Sequence, residues 1–254
     1  MQDGPALSRV MALVRDLRQR CPWDRVQTRM TLRPYLVEEV LELDQAIGRE
    51  DQDAIRDELG DFLLHLAWQL VLCEEEGSAT ADTVADQVMR KMQRRHPHLF
   101  DLGPREPWEV LKRRERTGGT LEGLPQTLPG LLMAFRLQER AASVGFDWPD
   151  VAGPLGKVRE ETAELEQELA SADAAALEDE LGDLLFAVVN LARKAGVQPA
   201  AAMDRANQKF VRRFTRMETL AAERSIALDR AGLDQLDGLW DEVKRSEQEA
   251  ATRG

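Results

Sequence analysis

The chain is short of the residues that build sheets and of those that staple loops. Tyrosine occurs once in 254 residues and aromatics make up 5%. Ala, Leu, Glu, Arg and Gln fill the long segments, so intrinsic preference runs to helix and no stretch reads as a convincing strand. Two cysteines, Cys21 and Cys73, are too few for a disulfide framework. They read as reduced thiols, one near a turn and one on an apolar helix face, with no thiol-activating neighbourhood in view. There is no basic start followed by an apolar leader, and no apolar run reaches the roughly 18 residues needed to cross a bilayer. A cytoplasmic location is therefore expected, and no membrane partner. Basic residues are outnumbered 34 to 46, leaving a net charge of -12. That balance argues against polymeric nucleic acid, whose binding draws on cationic patches. No GxxxxGKS or GxxxxGKT cradle is present, so any bound phosphate must be held by metal and side chains.

What the chain does hold is a duplication. Adding 122 to Glu38, Glu39, Glu42, Glu58 and Asp61 lands on Glu160, Glu161, Glu164, Glu180 and Asp183 without a gap, and Leu59-Gly60-Asp61 lands on Leu181-Gly182-Asp183. KMQRR (Lys91 to Arg95) is echoed by KFVRR (Lys209 to Arg213), and Trp108 with Lys112 by Trp240 with Lys244, at offsets of 118 and 132. Loop lengths differ between the copies while helix contents persist. The glycines and prolines between Glu115 and Gly130 mark a linker. The expected organisation is two all-α helical-bundle domains, 1–118 and 131–254, joined by 119–130. Apolar spacing predicts helices over Ala6–Arg20, Thr31–Ile47, Asp51–Glu76, Ala79–Arg95 and Trp108–Arg116. In the second copy it predicts Leu128–Ser143, Val151–Ala170, Asp173–Ala195, Pro199–Ala222 and Leu233–Glu249. Breaks fall at Cys21-Pro22-Trp23-Asp24, Gly48, Gly77 and His96-Pro97.

The acids carry the chemistry. Glu160, Glu161 and Glu164 lie within one turn of a helix, and Glu180 with Asp183 share a face of the next. Two antiparallel neighbours bring four or five carboxylates together, where each like pair at about 4 Å costs roughly 1 to 4 kcal/mol. Alone, such glutamates are usually a solvated face. Here the second helix runs on as LLFAVVNLA after Asp183 and FLLHLAWQL after Asp61, apolar nearly all round and expected to be buried, so a cationic partner is required. Oxygen-only donors point to Mg2+, or Mn2+, not zinc. Other residues divide between two readings. Lys157 contacts phosphate or is a solvated helix-end lysine. Lys209 and Arg213 hold a polyphosphate tail or pair with surface acids. Trp240 with Lys244 stacks a base and grips phosphate, or is core. His65 is expected to be a hydrogen-bonded core residue.

EExxE followed by ExxD resembles the all-α nucleoside triphosphate pyrophosphohydrolase superfamily. The tandem pair, with CPWDRVQT, RRHPHLF, VGFDW and GDLLFAVVNLARK, resembles the MazG family from about Val10 to Lys244. The resemblance implies Mg2+-dependent hydrolysis of nucleoside triphosphates to monophosphate and pyrophosphate in a homodimer of helical bundles. It implies that Glu161, Glu164, Glu180 and Asp183 are metal ligands and that Lys157, Glu160, Lys209, Arg213 and Trp240 line the nucleotide site. Glu160 and Glu161 are the candidates for taking the proton from the attacking water. The first copy keeps Glu39, Glu42, Glu58 and Asp61 as a second ligand set, with Lys91, Arg95, Trp108 and Lys112, but has Tyr35 where the second has Lys157. The C-terminal site is expected to be the working one. A di-iron bundle calls for ExxH pairs, which this sequence lacks. The remaining alternative is a non-catalytic, nucleotide-binding regulatory or interaction protein.

Overall fold

The computed structural model describes residues 5–115, 118–171 and 173–253, with the backbone alone at 109, 170, 171, 251 and 253. It is all-α: 76% of the chain is helical, and no strand occurs among the described residues. Helices α1 (Ala6–Arg20), α2 (Pro22–Arg25), α3 (Arg29–Gly48), α4 (Gln52–Glu75), α5 (Ala81–Arg95) and α6 (Trp108–Arg114) are followed by α7 (Gly130–Ala142), α8 (Ala152–Ser171), α9 (Ala174–Lys194), α10 (Pro199–Glu223) and α11 (Leu233–Arg253). Helix α2 falls where the sequence reads as a break. Pro22 opens a single four-residue turn there, because a proline at the first helical position gives up no needed hydrogen bond. The end of the expected helix at Arg116 lies outside the described residues. No helix is long and apolar enough to cross a membrane.

The chain divides into two compact units, Met1–Arg116 and Thr117–Gly254. In the first, α4 is the central helix, with α1 and α3 packed on it. Met11 and Val14 of α1, Leu32 of α3 and Ala67, Trp68, Leu70, Val71 and Leu72 of α4 form the core. In the second, α8 and α7 pack on α9, and α10 pairs with α11. Met217, Ala221, Leu239 and Val243 close the α10–α11 seam.

The caps are duplicated along with the acids. The Asp51 carboxylate accepts from the backbone N–H of Asp53 and Ala54 to start α4. Asp173, 122 residues on, accepts from Ala175 and Ala176 to start α9. Each cap fixes where its helix begins, and so sets Glu58 and Glu180 two turns in from the start.

One expectation fails. The apolar run of α9 is not buried all round: Ala187 and Val189 are buried, but Leu181, Leu185, Phe186 and Val188 are each 44–56% exposed. Leu59, Phe62 and Leu66 of α4 are likewise open. Too few helices of the same unit surround α4 and α9 to cover both faces of either.

Candidate metal and nucleotide site

Helices α8 and α9 lie side by side, as do α3 and α4, and each pairing brings three glutamates to a point. Carboxylate oxygens of Glu161, Glu164 and Glu180 lie within 4.8 Å of one another, and so do those of Glu39, Glu42 and Glu58. Glu161 is buried, and Glu180 keeps Oε2 buried with no hydrogen-bond partner. Burial, then the neighbouring Glu161 carboxyl, pushes Glu164 above the usual carboxylate range. Burial first, and then Asp61, Glu42, Glu58 and Glu38, does the same to Glu39; burial, Glu42 and Asp61 raise Glu58. The fourth acid of each set behaves differently. Asp61 and Asp183 are exposed, and neither belongs to the convergent group of three. The sequence reading, which buried them with the apolar run, is corrected on this point.

The orphaned Glu180 oxygen is the test of whether a cation fits. Three converging carboxyl groups, one of them with a buried oxygen that no donor meets, form a donor set suited to a hard divalent ion. Glu161 and Glu164 from α8 and Glu180 from α9 would hold it in the second unit; Glu39, Glu42 and Glu58 would hold one in the first.

The two copies differ in their resident charges. Lys157 Nζ donates to Glu160 Oε1 at 2.8 Å and also forms an ion pair with Glu161, so the second site carries its own cation. In the first, Tyr35 takes that position and instead meets Trp23 edge-on, with ring centroids 6.3 Å apart. Among the described residues no Lys or Arg lies within 4.0 Å of the Glu39, Glu42 or Glu58 carboxylates. His65 is buried, as expected, but is not hydrogen-bonded. Its Nδ1 has no partner and its Nε2 stands 3.8 Å from Glu39 Oε1, too far for a hydrogen bond. Burial drives this imidazole below its ordinary value, against the pull of Asp61.

The other expected nucleotide residues gather elsewhere in the second unit. Arg213 donates to Glu247 at 2.7 Å, Lys244 pairs with Asp241 at 2.7 Å, and Trp240 packs against Phe210, with ring centroids 5.4 Å apart. Lys209 is exposed on α10. Helix α11 packs on α10, with no comparable packing on α8 or α9. The first copy repeats the arrangement: Arg95 donates to Glu115 at 2.9 Å and lies over the Trp108 ring, 5.1 Å from its centroid. In both copies the glutamate follows the tryptophan by the same interval, so the duplication reaches down to an ion pair.

Sequence reasoning missed a cavity of about 630 Å³ beside α9, lined by Leu137, Gln138, Phe146, Trp148, Phe186 and Asn190 among others. Its wall is built by a link between two of the quoted blocks. Asp147 of VGFDW receives hydrogen bonds from Arg193, at 2.5 Å, and from Lys194, at 3.0 Å, of NLARK. Arg193 and then Lys194 hold the Asp147 carboxyl down to about 2. Trp148 lies so close to Gly153 that a Cβ there would meet the indole at 2.3 Å. Asn190, a polar residue inside an apolar run at the helical interval from Asp183, was the available signal. Cys73 is a free thiol on α4, as read, but it has a cationic neighbour that the sequence did not show, since Arg29 donates to its Sγ at 3.0 Å. Between the acids of each α4 and α9 face, Gly60 and Gly182 have nothing within 4 Å of where a Cβ would stand.

A model described as the MazG nucleotide pyrophosphohydrolase domain matches residues 27–100 and 155–217. The chain belongs to the MazG family. The two matched segments contain both glutamate clusters, Asp61, Asp183, Lys157, Lys209 and Arg213, while Trp240 and Lys244 fall outside them. A MazG relative from Escherichia coli strain K12, named nucleoside triphosphate pyrophosphohydrolase, is 39% identical over 260 residues, covering 97% of this chain and 99% of that one. One from Thermotoga maritima, named nucleoside triphosphate pyrophosphohydrolase/pyrophosphatase MazG, is 36% identical over 255 residues, with 97% and 99% covered. An uncharacterised Bacillus subtilis protein, YabN, is 40% identical over 250 residues, but this chain spans 51% of its length.

Proposed function

We propose that this chain, an enzyme by family, hydrolyses nucleoside triphosphates to the monophosphate and pyrophosphate with Mg2+, or Mn2+ in its place. The observation that carries the reading is the convergence of Glu161, Glu164 and Glu180, together with the buried Glu180 Oε2 that no donor meets. A bound divalent ion supplies charge neutralisation on the phosphate oxygens and polarises water.

The protein's own groups do the rest. Asp183, one turn beyond Glu180, would be the fourth residue to hold that ion. Glu160 or Glu161 takes a proton from the water whose oxygen attacks the α-phosphorus. The bond from that phosphorus to the bridging oxygen breaks, and pyrophosphate leaves. Lys157, released from Glu160 and Glu161, turns to the phosphate oxygens, and Lys209, Arg213 and Lys244 grip the β and γ groups. The base enters the apolar cavity beside α9. Asn190 lies about 10 Å along the helix from Asp183, the reach of a nucleoside from its phosphates. Apolar walls discriminate weakly between bases, which supports broad tolerance and a role in the nucleotide pool or in stress-linked control. Trp240 is the other stacking platform.

Because α11 packs on α10, with no comparable packing on α8 or α9, we infer that a second copy supplies Trp240 and Lys244 to each site. The exposed Leu181, Leu185 and Val188 stripe on α9, with Phe210 and Phe214 on α10, supports a homodimer. The C-terminal site is the main one, in units taken as domains 1–118 and 131–254, and the setting is cytoplasmic.

The test is pyrophosphate release by the full chain from a panel of triphosphates, with and without Mg2+, comparing Glu39→Gln with Glu161→Gln. Activity lost only in Glu161→Gln supports the reading. Nucleotide binding without pyrophosphate from any substrate would make the chain a regulatory binding module. Trp148→Ala against Trp240→Ala separates the two base platforms by KM.

A further inference from the structure

Besides the paired Asp147 and Arg193, two amides are the polar groups lining the cavity beside α9, and each has one end already committed. Gln138 of α7 is 6% exposed, and its Nε2 donates to the backbone carbonyl of Phe186 at 2.8 Å. A carbonyl only accepts, so the NH2 end must face α9 and Oε1 is left as an acceptor. That Oε1 is buried and meets no donor. An unmet buried acceptor is costly, and uncommon enough in folded chains to call for an explanation. Asn190 stands one turn beyond Phe186 on α9. Its Oδ1 accepts from Arg193 Nε at 3.2 Å and Nη2 at 2.8 Å, which leaves its NH2 over, with no hydrogen bond among the described residues. Arg193 is itself held by Asp147, so neither amide is free to turn over. The cavity thus carries one fixed acceptor and one fixed donor about a helical turn apart.

We propose that Gln138 reads the base: its Oε1 accepts an N–H from the pairing edge of the base in this cavity, while Asn190 donates to the acceptor beside that N–H. The inference rests on placing the base beside α9, and adds the contact that apolar walls do not supply. Stacking on Trp148 or Phe186 serves any flat ring. A buried acceptor is more selective, because a ring that brings no donor leaves it unmet. Adenine, cytosine, guanine and uracil each carry an N–H next to an acceptor on that edge, so the two amides admit them all. Purine riboside and pyrimidin-2-one riboside, which are adenosine and cytidine with the amino group replaced by hydrogen, carry no base N–H. Tolerance among the common bases and refusal of a donorless one then share one cause.

The test uses the full chain and α,β-methylene triphosphates, in which carbon replaces the bridging oxygen next to the α-phosphorus, so that binding is measured without cleavage. By calorimetry in Mg2+ the wild type is expected to bind the adenosine and cytidine compounds about tenfold more tightly than their deaminated counterparts. Gln138→Met keeps the length of the side chain and removes the acceptor. It should bind all four within about twofold of one another, losing affinity chiefly for the two that carry the amine. Gln138→Leu repeats the measurement should methionine upset the packing of α7. Equal binding of amine-bearing and deaminated compounds by the wild type would overturn the proposal without any substitution, and so would no binding of any of the four. A preference that survives in a folded Gln138 variant would place the reader elsewhere. A variant that weakens all four alike would make the glutamine merely structural, and either result sinks the proposal. Pyrophosphate release from ordinary triphosphates is a separate measurement, so silence there removes the hydrolase reading and leaves this one standing.

Discussion

Replacing Glu161 by glutamine keeps the side chain's shape and removes one charge, and the structure predicts opposite consequences with and without metal. The Glu161 side chain is 5% exposed, and its carboxylate lies within 4.8 Å of those of Glu164 and Glu180. At that separation each like pair repels by about 1 to 3.5 kcal/mol for effective dielectrics between 80 and 20. The ion pair with Lys157, whose head is partly exposed, offsets part of the summed repulsion. Without metal, Glu161→Gln is therefore expected to stabilise the second unit by about 1 to 2 kcal/mol, or about 2 to 8 °C in Tm. With Mg2+ the order inverts. An ion at a hundredfold excess over its Kd adds about 2.7 kcal/mol to the wild type and little to the variant, while pyrophosphate release falls to background. Differential scanning calorimetry in EDTA and in Mg2+, beside a pyrophosphate assay, reads both arms. A variant that melts several degrees below wild type in EDTA would show Glu161 to be half of a structural ion pair, and the reasoning would be wrong. Near wild-type turnover would remove the ligand assignment.

Three further outcomes are expected. Asp147 is held at about 2 by Arg193 and Lys194, below its ordinary 3.8. The stability it contributes, about 2 kcal/mol, is complete above pH ~4 and lost as pH falls toward 2; Asp147→Asn should flatten that limb in urea melts. Lys157→Met should leave Mn2+ binding without nucleotide as tight or tighter, since a competitor for Glu161 is gone, yet lower kcat/KM; titration calorimetry and steady-state kinetics check the two arms. Leu32→Ala removes a side chain that is 2% exposed and should destabilise the first unit by about 2 to 5 kcal/mol. Calorimetry should show its transition move alone, with pyrophosphate release intact below it.

Helical periodicity placed the acids correctly relative to their own helices, because a shared face depends only on spacing within one element. The Asp51 and Asp173 caps made the starts of α4 and α9 nearly as legible. What spacing does not encode is contact between elements. Asp147 and Arg193 sit in blocks that were both quoted, yet only the fold joins them. Lys157 read equally as solvated or phosphate-facing until its ion pair with Glu161 was seen. The apolar runs after Asp61 and Asp183 suggested burial all round, but hydrophobicity records that a face will be covered, not whether the same chain covers it. His65 was legible as buried and illegible as unpartnered, since a missing hydrogen bond depends on every neighbour at once.

The two bare backbone patches at Gly60 and Gly182 carry a consequence of their own. A methyl group at either would touch nothing in the chain and would firm up the helix by about 0.5 to 1 kcal/mol. Leaving the surface unclothed lets an incoming body rest on main-chain atoms midway between Glu58 and Asp61, or Glu180 and Asp183, closer than any side chain would permit. If alanine there spoils turnover while raising Tm, the obstruction lies with whatever docks from outside.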